Sequence, residues 1–416
     1  MKRSRIICSI ITGIYILLSI ALLLILIKSN MAVKSSVSAY VKVIHVAIFG
    51  MCTFSYVLMK EKLSKKLSNN PLGIKISKIY YYIYLAVICF VSRCVMVYIL
   101  KDNLVELIVP NFNIGLGSYI NYGLGKAINN AMYANAIVNA ILAFVICILI
   151  KKIMLNITEN DIVATTSSIM YLLLPQSLVY VTEYIKYSYN LLVVLMGVLL
   201  FVKIIDQVKE FNKKSSKYLI YSIMLGLIQA LDIILGGTYV LWFVVLVITT
   251  TAAMYVDCVR VKIPFKNKLN LKYRKIIEKI EKLNISKLIY VSAISLTISS
   301  IAAIISKLGS NVCNYYVFDT SNSINILVHS RSYYIVLIIL ALVFEIIGVI
   351  FNRKLDVKMF VIKLGTVCSM FLTFFVVDGS YAASVFDTFL VLNTVTNMCN
   401  VCYNREERVK LLTDKN

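Results

Sequence analysis

Twelve apolar stretches run the length of this chain, and most of its 43 Lys+Arg fall in alternate gaps between them. A run of about 20 apolar residues crosses the hydrocarbon core of a bilayer as a helix. The stretches are Ile6–Leu26, Ser38–Met59, Ile79–Leu100, Ala131–Ile150, Ile162–Ile185, Leu191–Ile205, Tyr218–Gly236, Tyr239–Val256, Leu288–Ile305, Tyr333–Phe351, Met359–Val377 and Tyr381–Tyr403. They are continuous runs, not alternations of apolar and polar residues, which disfavours a closed β-barrel. Backbone groups inside lipid must then be satisfied within helices. The expected fold class is all-α: a polytopic membrane helix bundle of about 12 transmembrane helices.

The charge pattern assigns sides. With Met1 in the cytoplasm, the inner gaps collect Lys2, Arg3 and Arg5; Lys60 to Lys78; Lys151 and Lys152; Lys209 to Lys217; Arg260 to Lys287; Arg353 to Lys358; and Arg405 to Lys415. That is the positive-inside pattern, and it predicts that both termini are cytoplasmic. A net charge of +23 on a soluble protein would suggest nucleic acid. Here the charge is sorted to one side, where anionic lipids attract it, so anionic lipids are the expected partner and no nucleic acid is. The first stretch has the basic start of a signal peptide, but its apolar run is longer than the usual 7–15 residues and no Ala-x-Ala site follows. It reads as a retained helix.

The expected organisation is a pair of helices and a basic inner loop (1–78), a helical core with an outer loop at 101–130 (79–256), a basic inner loop (257–287), and C-terminal helices with a tail (288–416). In the third segment Leu271, Ile276, Ile280 and Leu283 recur at helical spacing among lysines and arginines, the pattern of a helix lying in the membrane interface. Cys8, Cys52, Cys89, Cys94, Cys147 and Cys368 fall inside apolar stretches, where thiols pack as small hydrophobes. Cys399 and Cys402 form a single C-x-x-C without a second pair, which favours helix packing over a metal site. No internal repeat is visible.

A charge within an apolar stretch is costly and faces a protein interior or an aqueous cavity. Arg93, Glu183, Asp232 and Asp387 lie near the predicted outer ends of their stretches, with Lys186 one turn from Glu183 and Asp378 at the entrance to the last one. Asp102, Glu106 and Asp319 lie in outer loops, and Glu345 is the exception on the inner half, expected to bond a neighbouring helix while protonated. Outer carboxylates suit a general base, a divalent cation or hydroxyl-rich substrates. Arg93, Lys126, Lys186 and Arg331 suit a phosphate. The alternative is that these charges neutralise one another or reach the headgroups. No cofactor is indicated by a motif, and no metal ligand set is assigned. The tyrosines at 80–84 and around Glu183 fit an interfacial belt, with stacking on sugar rings as the alternative.

Arg93, then an outer loop, then "YANAIVNAILAFVICILIKKI" and "MYLLLPQSLVY" with Pro175 and Tyr180, follow one another in an order that resembles the GT-C glycosyltransferases, in particular bacterial glycosyltransferase-39-like membrane proteins. The likeness is best over 79–205. It implies a bundle of about a dozen helices in a bacterial plasma membrane, and a polyprenyl-phosphate sugar as partner at the outer face. An acidic residue of the first large outer loop would be the base; Asp102, with Glu106 second, occupies that place. By the same resemblance Arg93 and Lys186 contact donor phosphate, while Glu183 and Asp232 line the acceptor or metal region. The chain departs from the family in lacking an acid about a dozen residues after Pro175, a later Arg-Pro step and an Arg-Tyr pair near the last stretch. A transporter or lipid-linked oligosaccharide flippase and an inactive glycosyltransferase relative are the competing expectations. A transporter needs charges along a path that includes the inner half.

Overall fold

The computed structural model describes residues 2–28, 71–100, 117–158, 161–172, 186–209, 217–234, 291, 293–302, 304–305, 331–350, 357–375 and 385–397. Apart from the Asn129–Asn130 turn, all of them are helical, as the uninterrupted apolar runs predict. The helices are α1 (Lys2–Lys28), α2 (Pro71–Leu100), α3 (Gly117–Ile128), α4 (Ala131–Thr158), α5 (Asp161–Leu172), α6 (Lys186–Lys209), α7 (Lys217–Ile234), α8 (293–302), α9 (Arg331–Ile350), α10 (Val357–Phe375) and α11 (385–397). Among the described residues, Ala136–Thr158 is long and apolar enough by itself to cross a membrane, with a mean hydropathy of 2.4 over 23 residues. The other described apolar segments are shorter, from Thr12–Lys28 to Ile362–Phe371. Together they suggest a membrane protein.

The distribution of side chains supports that direction. On α9 Val336, Ile339, Leu340, Val343 and Ile346 are exposed, whereas Tyr334, Leu337, Ile338, Ala341 and Glu345 are buried. The exposed face is the apolar one and a carboxylate is inside. The same inversion holds on α1, where Leu17 and Leu24 are outside and Thr12, Tyr15 and Ser19 inside, and on α7, where Leu227 is outside and Gln229 inside. Water would penalise such contiguous apolar faces; lipid does not, and it leaves close packing and hydrogen bonds to hold helices together. Gly226 on α7 supplies close packing: a Cβ there would lie 2.9 Å from Ile298 Cβ and 3.2 Å from Ser295 Cα.

α11 sits at the centre. Every residue from Val385 to Thr396 is buried, the signature of a helix packed on all sides. Its hydroxyls are tolerated inside because they bond back to their own helix: Thr394 donates to the Leu390 carbonyl at 2.7 Å and Thr396 to that of Leu392 at 2.6 Å. Thr366 of α10 donates to the Phe389 carbonyl at 3.1 Å, and Gly365 makes room for the Phe389 ring beside it.

Side-chain pairs fix the relative directions. Lys151 lies 3.9 Å over the Tyr81 ring and Cys147 beside Cys89, so α4 runs antiparallel to α2. The ion pair Lys151–Asp161 (3.3 Å) and the contact of Cys147 Sγ with the Ser168 carbonyl (3.4 Å) make α5 antiparallel to α4. Tyr189 and Leu192 pack on Val138 and Leu142, so α6 and α4 begin at the same end; α7 returns after the short connection 210–216. Bonds from α9 to α11 at Tyr334–Asp387 and Glu345–Asn397 make these two parallel, with α1 and α10 running the other way. Thr396 against Met154 (3.9 Å), with Asp387 and Cys147 both in electrostatic range of Tyr171, sets α11 parallel to α4.

One element departs from expectation. The Gly/Asn/Tyr-rich part of 101–130, read as loop, contains α3. Its glycines disfavour helix, but Leu124 packs against Val138 and Leu142, and its end is closed by a Schellman motif. Asn130 N–H donates to the Gly125 carbonyl (3.1 Å) and Asn129 N–H to that of Lys126 (3.3 Å), with Asn129 left-handed at φ 55°. Asn130 Oδ1 then accepts from Tyr133 N–H at 3.4 Å and caps α4.

Candidate functional site

These directions sort the charged residues between the two ends of the bundle. The starts of α1, α2, α7 and α10 and the ends of α4 and α6 share one end, and they carry Lys2, Arg3, Arg5, Lys75, Lys78, Lys151, Lys152, Lys209, Lys217 and Lys358. The opposite end gathers the ends of α2, α5 and α7 and the starts of α4, α6, α9 and α11. Arg93 lies there, as do Lys126 at the end of α3, Lys186 at the first position of α6, Asp232 in the last turn of α7 and Arg331 at the first position of α9. Five of the expected site residues thus belong to one end by backbone position. Lys126 is exposed, its ammonium 4.7 Å from the centre of the Tyr122 ring. Asp102, Glu106, Glu183, Asp319 and Asp378 lie outside the described residues.

Two polar layers occupy the interior. The first lies toward the Arg93 end. Arg93 is 1% exposed, and its Nη1 donates to Ser92 Oγ at 2.9 Å, which donates in turn to the Cys89 carbonyl at 3.2 Å. Tyr171 on α5 is within electrostatic range of both Arg93 and Asp387. Asp387 is fully buried; Tyr334 donates to its Oδ2 at 2.7 Å, and its Oδ1 has no hydrogen-bond partner. Four helices therefore contribute a guanidinium, a carboxyl and two phenols to this layer.

The second layer lies toward the basic end. From Asp387 to Asn397 the rise of ~1.5 Å per residue separates the layers by about 15 Å. Lys363 Nζ donates to Glu345 Oε1 and, at 3.0 Å, to Thr12 Oγ1. Asn397 Nδ2 donates to Glu345 Oε2 at 2.7 Å. Both members of the ion pair are 3% exposed. Four helices again meet, and here both carboxylate oxygens have donors, which is the condition for holding a buried charge pair. Tyr15 and Asn393 lie one turn away from this pair, and Ser19 one turn beyond Tyr15. Tyr15 lies within reach of both Asn393 and Ser19, and all three are buried.

Glu345 bonds neighbouring helices, as expected, and its partners there are Lys363 and Asn397. Lys363 was overlooked in the sequence. Its signal was there: a lysine four residues inside the stretch that begins at Met359, one stretch after an equally isolated glutamate. The interior toward the lysine-rich end therefore holds Lys363 as well as Glu345. Among the described residues no group of three or more His, Cys, Asp or Glu comes together to hold a metal ion. Cys89 and Cys147 are buried side by side, with Cys147 Sγ also against the Ser168 carbonyl, in keeping with their reading as packing residues. The tyrosines at 80–84 divide: Tyr82 is exposed, whereas Tyr81 donates inward to Ser168 Oγ at 2.8 Å. Comparison with known proteins found no matching family model, no similar curated protein and no similar solved structure.

Proposed function

We propose that this chain is a multi-pass bacterial plasma-membrane protein of about 12 transmembrane helices, with the basic end and both termini cytoplasmic. At its outer end it transfers a sugar from a polyprenyl-phosphate carrier to an acceptor, in the manner of GT-C glycosyltransferases. The observation that supports this reading is that the backbone positions of Arg93, Lys126, Lys186, Asp232 and Arg331 all fall toward the end opposite the lysine-rich one. Cations held there suit a lipid-linked phosphate. α3, an amphipathic helix packed at the start of α4, lies beside that end and supports an interfacial platform for the acceptor.

In this reading Asp102, with Glu106 second, removes the proton from the acceptor hydroxyl as it attacks the anomeric carbon. The phosphate leaves with inversion, and Arg93 and Lys186 stabilise its charge. Glu183 and Asp232 line the acceptor side, where a divalent cation has room among oxygen ligands. Labelled polyprenyl-phosphate sugars incubated with membranes holding the wild type or Asp102→Asn provide the test. Transfer by the wild type and its loss by at least about 100-fold in the variant are expected for a general base. Full transfer by the variant rejects the base assignment.

One observation favours a second reading. The Lys363–Glu345 pair puts charge in the inner half of the interior, as a transporter or lipid-linked oligosaccharide flippase requires. Substrate flux into vesicles without transfer from any donor selects it. Transfer and flux both absent, with lipid-sugar binding retained, select an inactive glycosyltransferase relative.

A further inference from the structure

The two interior carboxylates are treated differently by the same fold. Glu345 has a donor on each oxygen. Asp387 has one donor, Tyr334, on Oδ2, while Oδ1 is sealed from solvent with none. A carboxylate offers about four acceptor positions, and leaving one of its oxygens unbonded in an apolar interior is costly. Such exceptions call for a reason. Tyr334 is itself fully buried, so its bond locks the carboxyl and holds Oδ1 in a set direction.

The oxygen calls for a donor. The candidates are a metal cation, an ammonium, a proton or a hydroxyl. A metal would need further oxygen or nitrogen ligands, and no cluster of such residues surrounds Asp387 among those described. An ammonium or a metal would also add positive charge to a layer that already holds Arg93, with Tyr171 in electrostatic range of both Arg93 and Asp387. A proton on Oδ1 would itself need an acceptor, and that atom has no hydrogen-bond partner; a hydroxyl from outside requires only the one acceptor. A molecule that bears hydroxyls and a phosphate together matches both the carboxyl and the guanidinium of this layer.

We propose that Asp387 Oδ1 accepts a hydrogen bond from a hydroxyl of the sugar carried on a polyprenyl phosphate, with Tyr334 as the positioning residue that holds the carboxyl. This rests on the lipid-linked sugar part of the proposed function, not on the transfer step. Asp387 lies in the first turn of described α11, at the Arg93 end, and is fully buried, so the proposed bond requires the helix ends around it to part.

Equilibrium binding of labelled polyprenyl-phosphate hexoses and pentoses to the full-length protein in nanodiscs tests the assignment, with monodeoxy analogues of whichever sugar binds. Asp387→Leu is expected to weaken binding of the parent sugar about 10- to 100-fold, the worth of a hydrogen bond to a charged group. One monodeoxy analogue should show the same loss on the wild type and no further loss on Asp387→Leu. Tyr334→Phe, which leaves the carboxyl in place, should keep a preference for the parent over that analogue. Cooperative melting of each variant checks that it folds. Wild-type binding by Asp387→Leu overturns the proposal and leaves Asp387 as a carrier of a proton only. Equal deoxy losses in wild type and variant also overturn it. Failure of the wild type to bind any of these lipids removes this site together with the sugar reading. Binding without transfer removes the transferase step and leaves the site standing.

Discussion

Replacing Lys363 by Met would leave Glu345 with Asn397 as its remaining donor, in a place where the carboxylate is 3% exposed. Removing one partner of a buried ion pair costs about 3–5 kcal/mol, because the other charge stays behind uncompensated. Glu345→Met strands the ammonium in the same way, with Thr12 as its remaining partner, and should cost a similar amount. Removing both charges at once abolishes the stranding. What remains is the lost acceptor of Asn397 and the lost donor to Thr12, each about 1 kcal/mol for a neutral hydrogen bond. The double variant should therefore be more stable than either single one by at least ~1 kcal/mol, the reverse of additivity.

The assay is thermal or denaturant unfolding of purified protein in one detergent, with the four proteins forming a double-mutant cycle. The size of the effect follows from burial, not from the pair's Coulomb attraction alone. An exposed pair of the same residues is worth about 0–1 kcal/mol. Single variants that each cost under ~1 kcal/mol, with a double variant equal to their sum, would refute the reasoning and show that the layer is hydrated.

Three further outcomes follow from particular contacts. Asn129→Gly should leave stability within a few tenths of a kcal/mol, whereas Asn129→Val at φ 55° should cost about 1–2 kcal/mol in a thermal melt, since a β-branched residue is an outlier there. Gly226→Leu should cost about 1–3 kcal/mol, because even a Cβ would lie 2.9 Å from Ile298 Cβ; wild-type melting would remove α8 from its place against α7. A single cysteine at Lys126, exposed at the Arg93 end, should react with an impermeant maleimide added outside intact cells, and one at Arg3 should react only after lysis; the opposite pattern would invert the proposed orientation.

How much of this was legible in the sequence depends on what kind of signal each element carries. Helices were readable because lipid-length apolar runs have few alternatives, and the two-ended charge distribution was readable because basic residues sit between those runs. α3 was hidden by composition: Gly117, Gly123 and Gly125 read as loop, yet packing on α4 and the Asn129 cap hold it helical. The "INN" after Lys126 was the available clue, since asparagine is a common second choice to glycine at a left-handed cap. Arg93 and Asp387 could be singled out as embedded charges, but their shared neighbour Tyr171 could not, because tyrosines are common throughout the chain. The Lys363–Glu345 pairing was invisible for another reason. Two charges eighteen positions apart on successive antiparallel helices meet only if their depths match, and depth depends on where each helix starts.

The two interior layers impose different demands. Where both oxygens of Glu345 are bonded and the counter-charge is in contact, the network has little to gain from a ligand, and its natural role is to pin α1, α9, α10 and α11 together in one register. The Asp387 layer has an oxygen in reserve at the end where the helix termini, Arg93 and α3 also lie. A protein whose fold satisfies one buried carboxylate completely has shown that its helices can supply the donors. Leaving the other half-satisfied about 15 Å away on the same central helix is then a property of the place. On the proposed reading the unfinished bond, rather than the ion pair, is where a substrate gains by entering. On that reading the Glu345 layer serves structure and the Asp387 layer recognition, so substitutions in the first should change stability at unchanged ligand preference and those in the second should do the opposite.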